Sequence, residues 1–279
     1  MEVVLLNTSI LYIIMLLAGI LVTYIVIPFF KNMLISSNVI RPNYKKDMIP
    51  VSMGLVFLPT IVINGIILAY FTRNYENIAY MFMYMFGLMA MCLAGILDDI
   101  VGNRDVSGLK GHFKSLLKGN LTTGGFKALF GGFVGLIISI AISKDLTDII
   151  INTLIIALST NLMNLLDLRP GRAIKVYLVI AIILFLTLVG YPKALLLILL
   201  PSVCVYFIDD LKARAMMGDT GSNVLGISIG ILISMGYDMP IRISWLVFLI
   251  FIHILTEKYS LTKIIENNKV LNFIDKLGR

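Results

Sequence analysis

Apolar residues run through this chain in blocks about twenty long, each closed by a short polar or charged stretch, from one end to the other. A hydrocarbon core is crossed by roughly 20 residues of α-helix, so each block reads as a membrane crossing. Nine are legible, over 9–30, 51–71, 77–97, 125–143, 148–166, 174–190, 194–208, 223–235 and 241–255. The seventh and eighth are short and are expected to continue into their flanking loops. The pattern predicts an all-α fold: a polytopic membrane helical bundle of about nine transmembrane helices, one integral-membrane unit over 1–279 with no room for a separate soluble domain. After Thr256, residues 257–279 make a charged, helix-compatible tail. Its Leu261, Ile264, Ile265, Val270, Leu271, Ile274 and Leu277 form an apolar stripe suited to a membrane surface or to the bundle.

Composition excludes a water-soluble protein. Of 279 residues, 59% are hydrophobic and 14% charged, against roughly 25% charged in soluble domains. The net charge of +7 does not imply nucleic acid, because the basic residues are scattered over short loops, as topology signals are. One set of alternate loops holds 19 of the 23 lysines and arginines, among them Lys46, Arg104, Lys110, Lys114, Lys127, Arg169 and Lys212; the other holds Arg73, Lys144, Lys193 and Arg242. The positive-inside rule then places the first set in the cytoplasm, the N-terminus outside and the C-terminus inside. This segregation supports the count of nine. Glu2, with no Lys or Arg ahead of the first apolar run, predicts a retained first helix rather than a cleaved leader. Cys92 and Cys204 lie in apolar runs and read as packing. His112 and His253 lack metal-like spacing.

The cytoplasmic loops are the longer ones and carry the unusual polar clusters, so function is expected on that face. Asp98 and Asp99 end the third span, where carboxylates oppose the helix dipole and repel each other. They are either a solvated helix end or a pair relieved by a divalent cation or a phosphate-bound metal. Asn161, Asn164 and Asp167 share one face of the fifth span. Such groups at membrane depth face a polar cavity or form an interhelical hydrogen-bond ladder. Arg169 and Arg172 follow, guanidiniums suited to phosphate. Between the seventh and eighth spans, Gly218-Asp219-Thr220-Gly221-Ser222-Asn223 is a tight turn with cap residues for the next helix, and it brings a third acidic segment to the same side. In the first inner loop, Arg41, Lys45 and Lys46 are either topology determinants or cations for a diphosphate.

In this order, and on these motifs, the chain resembles the polyprenyl-phosphate N-acetylhexosamine-1-phosphate transferases, which include the phospho-N-acetylmuramoyl-pentapeptide and undecaprenyl-phosphate GlcNAc-1-phosphate transferases. The motifs are Gly95-Ile-Leu-Asp98-Asp99, Asn161-Leu-Met-Asn164-Leu-Leu-Asp167 and Met217-Gly218-Asp219-Thr220-Gly221-Ser222. The resemblance implies a Mg²⁺-dependent enzyme (Mn²⁺ serving in its place) of bacterial cell-envelope polysaccharide or peptidoglycan synthesis. It would transfer a sugar-1-phosphate from a nucleotide-sugar, UDP-linked, to polyprenyl phosphate at the cytoplasmic face of the cell membrane. It also implies Asp98, Asp99, Asp167 and Asp219 as catalytic residues, Asp98 and Asp219 as metal ligands, and Lys46, Asn161 and Asn164 as substrate-binding residues; Arg169 and Arg172 join the substrate-binding set on their own phosphate-suited chemistry. The partners expected are the lipid and the nucleotide-sugar, with a homodimer left open.

The chain departs from the family pattern where the nucleotide and sugar bind. Pro170 stands in place of a second aspartate after Asp167, Met216 in place of a phenylalanine, and Asp209 in place of an asparagine; His253 is the one late histidine, where the family has a histidine-rich loop. The alternatives are a non-catalytic relative that binds polyprenyl phosphate or a lipid-linked sugar, and a transporter. A transporter would be expected to hold its acids near the bilayer midplane rather than at inner helix ends.

Overall fold

The computed structural model describes residues 8–102, 111, 115 and 118–279. Glu2, Arg104, Lys110, His112 and Lys114, which entered the sequence reading, lie outside the described residues. The chain forms helices α1 (Thr8–Ser36), α2 (Phe57–Phe71), α3 (Tyr75–Val101), α4 (Thr123–Ile142), α5 (Leu146–Leu166), α6 (Arg172–Thr187), α7 (Tyr191–Leu211), α8 (Gly218–Gly236) and α9 (Met239–Lys258). Two short helices, α10 (Leu261–Asn267) and α11 (Lys269–Lys276), make up the tail.

Each expected span is a helix, and the two short ones lengthen as expected. Among the described residues seven helices are long and apolar enough to cross a membrane: α1, α2 with the 3₁₀ turn before it, α3, α4, α5, α7 and α9. This is a multi-pass membrane protein. The other two expected spans differ in kind. Helix α6 has only 16 residues, and α8 opens on Asp219, Thr220, Ser222 and Asn223, which dilute its apolar content. Yet α8 is the axis of the bundle. It packs along both α5 and α3, and every residue from Thr220 to Ser234 is buried. Helix α9 is its opposite: of its residues only Leu246 and Leu249 are buried.

Local chemistry explains where the helices start and bend. Asn74, Thr122 and Asp145 each accept a bond from the backbone N–H three residues on, capping α3, α4 and α5. Pro201, inside α7, has no N–H to give the carbonyl four residues back. Asn64 Nδ2 on α2 takes its place, donating to Leu197 O at 2.8 Å. A freed carbonyl in an apolar interior needs such a partner. At the far end of the bundle from the acidic motifs, Arg242 pairs with buried Asp148 at 2.9 Å and donates to buried Asn152 Oδ1 at 3.0 Å, tying α9 to α5.

Two features depart from an all-helical reading. The first inner loop is an antiparallel hairpin of β1 (Ile40–Pro42) and β2 (Met48–Pro50). Its turn closes on Asn43 Oδ1, which accepts from the N–H groups of Lys45 (2.7 Å) and Asp47 (3.0 Å). The tail is two helices rather than one, because Asn268 caps a fresh start by accepting from Val270 N and Leu271 N. Leu261 packs on the core, whereas Val270, Leu271, Phe273, Ile274 and Leu277 are exposed apolar residues.

Candidate functional site

Helices α3, α5 and α7 end, and α4 and α8 begin, at one end of the bundle, which also holds the hairpin and the tail. Close backbone approach builds the site there. Main-chain bonds from Met53 N to Met216 O (3.1 Å), Gly54 N to Met217 O (3.0 Å) and Met216 N to Pro50 O (2.8 Å) zip the first loop onto the segment leading into α8. Gly95 lets α3 touch the start of α8: a Cβ there would sit 2.3 Å from Asp219 O. Gly218 turns the chain at φ +71°, and a Cβ on it would lie 2.4 Å from Asp99 Oδ2.

The two adjacent aspartates have separate jobs. Asp99 is saturated. Its Oδ1 accepts from Asp219 N at 2.9 Å, while its Oδ2 accepts from Thr220 N at 3.1 Å, Thr220 Oγ1 at 2.6 Å and Ser52 Oγ at 2.9 Å. It caps the first turn of α8 with a carboxylate supplied by another helix, satisfying N–H groups that have no partner inside α8 and complementing its dipole. Ser52 is buried and held at φ 65°, a left-handed conformation uncommon for serine. At the other end of the exchange, Arg41 Nη2 donates to Asp99 O at 2.9 Å, closing the last turn of α3.

Asp98 points elsewhere, to a second centre. Lys127 Nζ lies 2.9 Å from Asp98 Oδ2 and also bonds Asp219 Oδ2. With its amide oriented to suit these neighbours, Asn164 donates to Asp219 Oδ1 at 2.7 Å and accepts from Lys127 Nζ at 3.1 Å. Four helices thus converge on one ammonium position. Burial pushes the Asp219 carboxyl up to about 7, Lys127 opposing the rise and Asp98 and Asp99 adding to it. Asp167, at the end of α5, is raised well above the carboxylate range by burial and by the charges of Asp210, Asp219 and Asp99.

The remaining expected residues divide. Asn161 shares the α5 face of Asn164 and Asp167 but lies a turn deeper, half-buried, and among the described residues its side chain makes no hydrogen bond to the site. Lys46 sits on the exposed hairpin turn at φ 71°; the first-loop cation that meets the acidic pair is Arg41. Arg172 is not directed at a phosphate. It is 3% exposed and grips Asp275 of the tail through Nε (2.8 Å) and Nη2 (3.0 Å). Arg169 lies 3.7 Å from Glu266. With Pro170, Tyr44, Lys276 and Arg279 it lines a cavity of about 300 Å³ under the tail.

Sequence reasoning passed over three residues. Lys127 was read as one more topology charge, and its signal was position: a cation just inside the start of an apolar helix. Thr220 was read as a cap for its own helix, yet its hydroxyl serves Asp99. Asp210 is buried and accepts from Gly171 N at 2.8 Å; the pair Asp209–Asp210 repeats the pattern of Asp98–Asp99 at the end of another span.

Among the described residues no cluster of three or more His, Cys, Asp or Glu stands as a ready metal site. The donor set fits Mg²⁺ nonetheless, since that ion is bound through one or two carboxylates and completes its shell with water and phosphate. Asp98 and Asp219 already aim at one cation position, filled by an ammonium, and Asp99 is engaged in holding Asp219 in place. In comparisons with known proteins, no protein-family model matches the chain and no curated protein matches its sequence.

Proposed function

We propose that this protein transfers a sugar-1-phosphate from a UDP-linked nucleotide-sugar to polyprenyl phosphate at the cytoplasmic face of a bacterial cell membrane, in envelope polysaccharide or peptidoglycan synthesis. The observation that carries the reading is the convergence of Asp98 and Asp219, from separate helices, on one cation position at a helix-end face. The motif resemblance and the clustering of lysine and arginine on that side of the chain support it as well. On this reading the chain is one nine-span unit with its N-terminus outside and C-terminus inside, and 257–279 is a cytoplasmic tail.

In the reaction, an oxygen of the lipid phosphate forms a bond to the β-phosphorus of the donor. The bridging P–O bond breaks, and UMP leaves with its electron pair. Mg²⁺, or Mn²⁺ in its place, would be held by Asp98 and Asp219 and would neutralise the charge that builds on the diphosphate. The protein's own part is positioning. Asp99 fixes the start of α8 and with it Asp219; Asn164 orients the Asp219 carboxylate. Asp98, brought in by α3 and bonded to Lys127, completes the acidic pair with Asp219. Helix ends at headgroup depth let a water-soluble donor and a lipid acceptor meet.

The test is purified protein with Mg²⁺, undecaprenyl phosphate and a panel of nucleotide-sugars, read by release of the nucleoside monophosphate. Asp219→Asn is expected to lower turnover by at least about 10³-fold while leaving the protein folded. No turnover with any donor, together with demonstrable lipid binding, would replace this reading by that of a non-catalytic lipid-binding relative.

A further inference from the structure

We infer that Lys127 is the built-in counter-cation of this centre: its ammonium holds the position a divalent cation takes, and must leave when that cation binds. The inference rests on the metal reading of the site and adds to it how the metal-free state is kept folded and how tightly metal can bind.

Lys127 is an awkward residue where it stands. It is the fifth residue of α4, near the positive end of the helix dipole, where a cation is unfavourable. Its side chain is only 15% exposed. Neither the helix dipole nor solvation accounts for it. What offsets both is the pair of carboxylates: Asp98 Oδ2 at 2.9 Å and the bonded Asp219 Oδ2, with Asn164 alongside. Without a cation, two carboxylates aimed at one point repel across a poorly solvated gap. The ammonium removes that repulsion, so the cradle stands assembled before any metal arrives.

The same contact sets a competition. A divalent ion drawn to Asp98 and Asp219 has to displace a charge already bonded to both, so Lys127 weakens metal binding while it stabilises the empty site. Replacing it with an apolar side chain of similar length reverses both effects. The cradle then strains when empty and binds metal more tightly.

The experiment uses the full chain in lipid nanodiscs with Mn²⁺ as probe, counting free Mn²⁺ by its electron paramagnetic resonance signal and following thermal unfolding by circular dichroism. Lys127→Met is expected to bind Mn²⁺ at least about tenfold more tightly than the unsubstituted protein. It should also unfold at a lower temperature in chelator and gain more from added Mn²⁺. Lys127→Gln, which can still donate to both carboxylates without the charge, should shift in the same direction by less. If Lys127→Met survives purification only with Mn²⁺ present, unfolding on chelation is the same result. Mn²⁺ binding to Lys127→Met that is equal to or weaker than that of the unsubstituted protein overturns the inference. If instead neither protein binds Mn²⁺ and Asp219→Asn changes nothing, the metal reading itself fails.

Discussion

Asp99→Asn separates the two roles that a pair of adjacent aspartates can have. In the structure Asp99 receives four hydrogen bonds, one on Oδ1 from Asp219 N and three on Oδ2 from Ser52 Oγ, Thr220 N and Thr220 Oγ1. An asparagine can keep one oxygen, best placed facing the three donors. Its NH₂ then faces the Asp219 N–H, donor against donor. Each surviving bond falls from charge-assisted to neutral, a loss of about 1 kcal/mol apiece, and the orphaned N–H adds about 1–3 kcal/mol. These terms share one cluster and do not sum, so the expected destabilisation is about 3 kcal/mol. For a chain of this size that corresponds to a Tm lowered by about 5 °C, measured by circular dichroism in detergent micelles against Asp219→Asn as the comparison. Asp219→Asn should fall far less, because its carboxylate makes no contact that a backbone depends on. If Asp99→Asn keeps a Tm within about 2 °C of the unsubstituted protein, Asp99 is not the clamp that holds α8 to α3.

The tail should be anchored mainly by one ion pair. Arg172→Met removes a buried guanidinium and leaves Asp275 short of its principal partner, at a cost of about 3 kcal/mol, and adding Asp275→Leu should recover most of it; thermal unfolding and proteolysis within 261–279 check both. Acid should loosen the same contact. Burial would raise the Asp275 carboxyl, but the bonds and charges of Arg172 and Arg279 outweigh it and hold it below its ordinary value. The stabilisation is therefore complete above the usual carboxylate pKa of about 3.9 and fades as pH falls through the lowered value. Hydrogen exchange in α11 should stay constant from neutral pH down to the usual carboxylate range and quicken below it, once corrected for intrinsic rates; quickening near pH 6 would rule out Asp275 as the group responsible.

Much of the architecture was written in the hydropathy pattern, for a simple reason. In a bilayer the backbone must satisfy its own hydrogen bonds, so an apolar block of sufficient length has one stable conformation. The existence of α1 to α5 and of α9 follows from that alone, although α1 runs on to Ser36 and α2 begins only at Phe57. The motif helix ends followed too: carboxylates are rare in an apolar chain, and Asp98, Asp99, Asp167 and Asp219 stood out against the background. Length and apolarity did not reveal that α8, the helix with the most diluted apolar content among those at the site, is the buried axis. Burial among protein neighbours, rather than lipid, lets Asn223 and Ser228 sit inside it.

Tertiary structure decided what each polar residue does. Asp98 and Asp99 are adjacent in sequence and point about 100° apart on the helix, so one turns to the cation position and the other to the N–H groups of α8. Arg169 and Arg172 look equivalent as a basic pair, yet the tail, a hundred residues on, claims Arg172 through Asp275. Lys127 carries no motif at all. Its position is set by where α4 meets α3, α5 and α8, and a contact among four helices is invisible to any local pattern. Sequence determined which segments form apolar helices and which helix ends carry the acids, because solvation acts on each segment by itself. The structure decided that an ammonium stands between those acids, because charge pairing depends on which chain segments meet.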